Sequence, residues 1–370
     1  MRYAISILLC FFSVSSFSQT NDYYLFVGTA TTEISVYKFN VTKGEASFVS
    51  KVSGVENPTY MAFSKHANYV YAVNENSKEK KGEVSAFSFD KIKGELHFIN
   101  RTSSGGDGPC FVDIDSSGKW VVVANYAGGN LSALKTNPDG SLQAPVQTID
   151  HTGYSVNFTR QSKPHVHCAF FSPNEKYVIA NDLGTDKIYQ YQFNGNNDQQ
   201  PLSEEAITSD VPDGSGPRHL SFHPNNKFAY LINELSGKVI AYAYHEGKLT
   251  EIQTIQSCTV GNKNEMGSAD IHLTPNGQYL YASNRGTAND ITIYRVGSTG
   301  LLTEVGHQSS LGIHPRNFTI DPSGKFLLVA NRDTNNIVVF NIIKSTGFLQ
   351  PTGVQIKVDK PMFVKLIPLH

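Results

Sequence analysis

Apolar and polar positions alternate along most of the chain in short runs broken by turn residues, the pattern of half-buried strands rather than helices. The runs repeat. NPTYMAF at 57, GPCFVDI at 108, HVHCAF at 165, GPRHLSF at 216, SADIHL at 268, HPRNFTI at 314 and KPMFVKL at 360 each open an apolar strand at a Pro or its substitute. A turn such as DSSGK, SPNEK, HPNNK, TPNGQ or DPSGK follows, and a second strand runs into a polar pair. The pairs are Asn74-Glu75, Asn125-Tyr126, Asp182-Leu183, Asn233-Glu234, Asn284-Arg285 and Asn331-Arg332, with first residues 51, 57, 51, 51 and 47 apart. A third strand alternates again, as in KVIAYAY at 238. A Gly turn (KGEA, KGEL, DGSL, EGKL, TGLL, TGFL, with QQPL as the irregular member) opens a fourth.

Four strands in roughly fifty residues make one propeller blade. Each strand type occurs seven times, but only if one blade is split. The chain opens on second, third and fourth strands (YYLFVGT, EISVYKF, ASFVSKV) and ends on a lone first strand, PMFVKLI. The sequence therefore predicts an all-β, seven-bladed propeller with four antiparallel strands per blade, one blade being closed by N- and C-terminal strands. Such closure leaves no open sheet edge.

Blade register gathers chemistry at one end. The residue after the Pro position is Thr59, Cys110, His167, Arg218, Ala269, Arg316 or Met362, and the residue closing the second strand is Glu75, Tyr126, Leu183, Glu234, Arg285 or Arg332. First strands line the central channel, so both sets ring one of its mouths. His167, Glu234, Arg218 and Arg285 are the candidate catalytic residues, with His165, His219, Arg316 and Arg332 as candidate substrate contacts. Plainer roles compete: an inter-strand ion pair for Arg218 and Glu234, a solvated rim for Glu75 and Arg332, and turn residues bonding their own backbone for the recurrent Asn. His165 either shares a strand face with His167 by period two or lies in the preceding loop. The aromatics are taken as strand residues of the core.

A net charge of -1 in 370 residues and a pI near 6.9 give no electrostatic footprint for nucleic acid or an anionic membrane. A local surplus of Arg in so neutral a chain suits a small anionic ligand gripped by forked donors. No G-x-S-x-G, P-loop, H-E-x-x-H or carboxylate cluster is present, so neither metal nor cofactor is expected. MRYAISILLCFFSVSSFSQ has the layout of a secretory signal over residues 1–18, cleaved near Gln19. That predicts an exported protein, periplasmic or secreted, whose residues 19–370 form one propeller domain, free of the membrane and monomeric. Cys110, Cys168 and Cys258 make no disulfide framework and allow at most one bridge.

GPRHLSFHPNNKFAYLINEL, PHVHCAFFSP with NDLGTDKIYQY, LYASNRG, GPCFVDIDSSGKWVVVANYAGGN and PRNFTIDPSGKFLLVANRDTNNI together resemble the lactonase family of seven-bladed propellers. That family includes bacterial 6-phosphogluconolactonases and the fungal carboxy-cis,cis-muconate lactonising enzyme. The match covers essentially everything after the signal. The resemblance implies that His167, Arg218, Glu234 and Arg285 form the active site of a cofactor-free, 6-phosphogluconolactonase-like hydrolase of a sugar-type lactone. Two positions depart from it: Thr-Ala-Asn-Asp follows ASNRG where the family has a His-Asp-Ser type continuation, and Arg332 stands where Gln is common. A muconate-type lactonising activity and a non-catalytic YVTN-type binding propeller are the alternatives. A calcium-dependent gluconolactonase would need a carboxylate-and-Asn cage that the sequence does not assemble.

Hydrolysis needs an activated water and an oxyanion partner. His167, titrating near neutrality, is the expected base, Glu234 orients it or the water, and Arg218 or Arg285 meets the oxyanion. On this view Glu234→Gln and His167→Ala should remove activity with little change in melting.

Overall fold

A computed structural model describes residues 22–76, 81–258 and 266–369. The proposed signal, residues 1–18, lies outside the described residues. The described residues form 28 strands in seven four-stranded antiparallel sheets. Blade one joins residues 23–53 to Pro361–Pro368, and blades two to seven span 61–103, 109–150, 166–210, 217–256, 268–309 and 315–357. The split blade is as the sequence predicts: Tyr23 pairs with Pro368 and Gly28 with Phe363. Leu25, Val27, Val364 and Leu366 of this blade pack on Leu328 and Ala330 of blade seven.

The strands differ in burial for a reason visible in their residues. Second strands are covered on both faces by neighbouring blades, as in the wholly buried WVVVAN of Trp120–Asn125. They read as continuous apolar runs. Fourth strands face solvent on one side and alternate, as in Glu45–Ser53.

The Gly of each third-to-fourth turn has a further purpose. In the turn of blade three, Gly140 has φ +83, and a Cβ there would lie 2.1 Å from the Tyr69 ring of blade two. The Tyr71 hydroxyl donates to its carbonyl at 3.1 Å. Equivalent aromatic-on-turn contacts staple the other blades, including the irregular turn of blade four, where Trp120 Nε1 donates to the Gly195 carbonyl at 3.0 Å. Each blade thus carries a socket for its predecessor.

Two features set the geometry of the mouth. In six inner strands the residue after the Pro position is an extra one, a β-bulge. Pro217 pairs with Asn233 and His219 with Ile232, leaving Arg218 unpaired between them. The same irregularity falls at His167, Cys110 and Arg316, with equivalents in blades one and six. A bulge breaks the period-two alternation and re-aims the side chain. The second feature is a repeated backbone bond from the residue just beyond the second strand to the one before the inner strand. Glu234 N donates to Gly216 O at 2.8 Å and Arg285 N to Gly267 O at 3.1 Å.

The second strands end on the Asn, so Glu75, Glu234, Arg285 and Arg332 stand just past them rather than closing them as expected. The recurrent Asn are fully buried and bond more than their own turns. Asn125 Nδ2 donates to Ser104 O at 3.1 Å and Asn331 Nδ2 to Ser310 O at 3.0 Å, each in the loop that enters its own blade.

Candidate active site

Glu234 is the centre of the mouth. Its carboxylate is 6% exposed and meets three guanidiniums: Oε2 lies 3.0 Å from Arg218 Nε and 2.8 Å from Arg285 Nη2, and Oε1 lies 2.6 Å from Arg160 Nη2. Burial would raise its pKa, but Arg285, Arg218 and Arg160 hold the carboxyl well below the usual range. Glu234 is a fixed anion whose two oxygens are already taken up by guanidiniums.

The arginines are oriented as firmly. Arg285 Nε donates to Gly267 O at 2.7 Å. Arg218, 1% exposed, donates from Nη1 to Ala269 O. Burial and the charges of Arg285 and Arg316 push its guanidinium down to about 9, which leaves it cationic at neutral pH. Arg316 Nη2 stands 3.8 Å from Glu75 Oε2, and Glu75 also accepts from the Thr59 hydroxyl. Four guanidiniums (Arg160, Arg218, Arg285, Arg316) face two carboxylates (Glu234, Glu75), so positive charge remains for an incoming anion.

His167 belongs to this group but not as expected. It is 4% exposed, its ring set edge-on to Tyr126 at 5.4 Å and to His219 at 5.2 Å, with Cys110 Sγ 3.9 Å from Nδ1. Burial, Arg218 and His219 drive its pKa well below the ordinary imidazole value. The expectation of a histidine titrating near neutrality is overturned by its burial beside a cation. His167 is neutral, and its lone pair is available at neutral pH.

The other candidates divide. His165 precedes the inner strand, the second of the two placements the sequence allowed. It stacks on Tyr126 at 4.4 Å and lies at the mouth with Nδ1 2.9 Å from Tyr126 O. His219 points deeper, where Nδ1 lies 2.8 Å from Asp270 Oδ1. Arg332 is engaged by its own neighbour, Asp333, through contacts of 2.5 and 3.1 Å, so its extra charge is neutralised locally. The three cysteines are free and buried. Among the described residues no group of three or more His, Cys, Asp or Glu converges as a metal site would.

Arg160 is the residue that sequence reasoning missed. It sits in the loop between residues 150 and 166, donates to the Tyr126 hydroxyl at 3.1 Å and reaches across to Glu234. The only hint was that this inter-blade connection is longer than its counterparts. The same loop carries Tyr154 and Phe158, 71% and 77% exposed, which corrects the view of the aromatics as core throughout.

Known proteins repeat this architecture. A 6-phosphogluconolactonase of Formosa agariphila is 39% identical over 304 residues, 80% of this chain and 86% of that protein. One of Bacillus subtilis is 38% identical over 307 residues, 81% of this chain and 85% of its own length. The structure of the periplasmic gluconolactonase of Pseudomonas aeruginosa superposes with a TM-score of 0.88 at 31% identity, covering 94% of this chain and 100% of the other. The model of the seven-bladed β-propeller lactonases matches residues 24–366. With its seven blades, split closure and near-complete match, the chain belongs to the lactonase family of seven-bladed β-propellers.

Proposed function

We propose that this lactonase opens a sugar-type lactone at the Arg-rich mouth, an anionic one such as 6-phosphogluconolactone in preference to an uncharged aldonolactone, and does so outside the cytoplasm. One observation carries the proposal: a single buried carboxylate is gripped by Arg160, Arg218 and Arg285 beside neutral His167, with positive charge left over. Relatives named for 6-phosphogluconolactone hydrolysis favour water addition over lactone formation or mere binding.

In the reaction, Arg218 or Arg285 faces the oxyanion that forms at the lactone carbonyl, while the other guanidiniums hold the substrate's carboxylate or phosphate. Water attacks the carbonyl carbon as His167 takes its proton. The ring C–O bond then breaks, and the leaving oxygen receives that proton from His167 to give the open hydroxy acid. Glu234 acts on the arginines, fixing their planes, rather than on the histidine.

Export is supported by the layout of residues 1–18 and by a relative named for the periplasm. A chain exported in this way meets extracytoplasmic lactones, so the non-phosphorylated aldonolactones belong in any substrate panel. Purified mature protein should hydrolyse aldonolactones faster than buffer alone, with higher kcat/KM where the sugar carries a phosphate or carboxylate. Absence of turnover on the whole panel would sink the proposal. Secreted material should begin at or near Gln19.

A further inference from the structure

We propose that Asp270 and His219 are a positioning pair that sets the orientation of Arg218 from inside the channel. This rests on the role given above to Arg218. The three side chains come from adjacent blades and are 1%, 6% and 1% exposed for Asp270, His219 and Arg218. Asp270 Oδ1 lies 2.8 Å from His219 Nδ1, and His219 Nε2 lies 3.4 Å from Arg218 Nη1.

The hydrogen positions follow from the partners. An ionised carboxylate only accepts, so Nδ1 of His219 must carry the proton and donate it. A guanidinium only donates, so Nε2 must present its lone pair. Asp270 thereby fixes the one neutral tautomer that can receive Arg218. Its own carboxylate is held from three further directions: Asn317 Nδ2 at 2.5 Å, Phe318 N at 3.3 Å and His272 Nε2 at 2.9 Å. The His219 ring is boxed edge-on by Phe111 at 5.4 Å and Tyr60 at 6.0 Å. Arg218 Nη1 is then caught between two acceptors, His219 Nε2 and the carbonyl of Ala269, the residue before Asp270. Glu234 grips the same guanidinium through Nε at 3.0 Å. One carboxylate steers it from the mouth, and the other steers it through an imidazole from below.

Asp270→Asn tests the idea because its amide can donate to Nδ1. That inverts the tautomer and turns Nε2–H against a guanidinium N–H. The expected result is a loss of about 10²-fold in kcat, the scale of a misplaced reacting group, with KM little changed. In Asp270→Asn/His219→Gln the glutamine carbonyl can accept from Arg218 whatever stands at 270, so much of the lost kcat should return. A purely structural role for Asp270 predicts no such rescue. Imidazole nitrogen NMR of the free protein should show His219 unprotonated at Nε2. A proton on Nε2, or Asp270→Asn enzyme with wild-type kcat, would overturn the proposal. If Asp270→Asn does not fold, the wild-type tautomer decides alone. That measurement uses no substrate, so its failure is separable from failure of the lactonase function.

Discussion

The two ends of the channel are built from the same seven inner strands and could hardly differ more. At one end the bulges and the loops beyond the second strands bring guanidiniums, a carboxylate and imidazoles together. At the other end pairing is regular, and a cavity of about 680 Å³ is walled by Tyr60, Phe111, Phe318 and Phe363 with Asp113 and Lys365. Burial there pushes the Asp113 carboxyl up to about 6, a rise that the backbone N–H of Phe171 and the charge of Lys365 offset only in part. Regular alternation yields a lined channel, and departures from it yield a site. One extra residue in six of the seven inner strands is the difference.

That contrast can be broken most severely at Glu234. Its replacement by Gln leaves three guanidiniums facing one another, so hydrolysis should all but vanish. Losing one partner of a buried ion pair costs about 3–5 kcal/mol. The melting temperature should therefore fall by several degrees, which revises the expectation of an unchanged melt. Calorimetry and initial rates on one preparation decide the matter, and an inactive variant that melts like the parent would mean that the Arg cluster does not need its anion.

Acid provides the next test. Burial and neighbouring cations lower the pKa of His167, and those of His219 to about 4 and His314 to about 3. A buried neutral histidine binds protons less readily than the unfolded chain does. Its contribution is therefore complete above the unfolded value of about 6.5 and is lost as the pH falls through the lowered ones. The rate should be level through that region, with its acid limb well below it, and thermal stability should decline over the same acid range. An activity limb centred near 6.5 would place the proton acceptor elsewhere.

The smallest effects separate the ends most clearly. Arg160 is half exposed, so Arg160→Met should hardly move the melt. It should raise KM for an anionic lactone by about tenfold, the worth of one charge-assisted hydrogen bond. Lys365→Met, at the opposite end, should leave turnover alone and alter stability by no more than about 0.5 kcal/mol. Equal effects from the two would erase the functional distinction between the mouths.

The sequence carried the fold because each blade repeats the same turn chemistry and the same apolar strand, and because PMFVKLI has no partner except at the other terminus. It also placed Arg218, Glu234, Arg285 and His167 at one mouth, since register alone decides which end a residue occupies. Contacts were less legible. The choice for His165 between the strand face of His167 and the preceding loop stayed open, because period-two reasoning fails across a bulge. Arg160 lies in a connection with no periodicity to place it. Asp270 looked like one more strand residue, for only the neighbouring blade reveals that it faces His219. Burial, which sets the direction of every histidine shift at the mouth, cannot be read from residue type.

Closure by the final strand also orders events in time. Tyr23 must wait for Pro368, and contacts of such separation form slowly because the loop between them has first to be ordered. Until Pro361–Pro368 has emerged, blade one lacks its inner strand and blade seven lacks the Val364 and Leu366 contacts that cover its flank. A chain threaded through a membrane from its N-terminus would thus remain an open arc for almost its whole passage. The last strand to arrive is the latch, and in an exported chain translocation would be finished before it could engage.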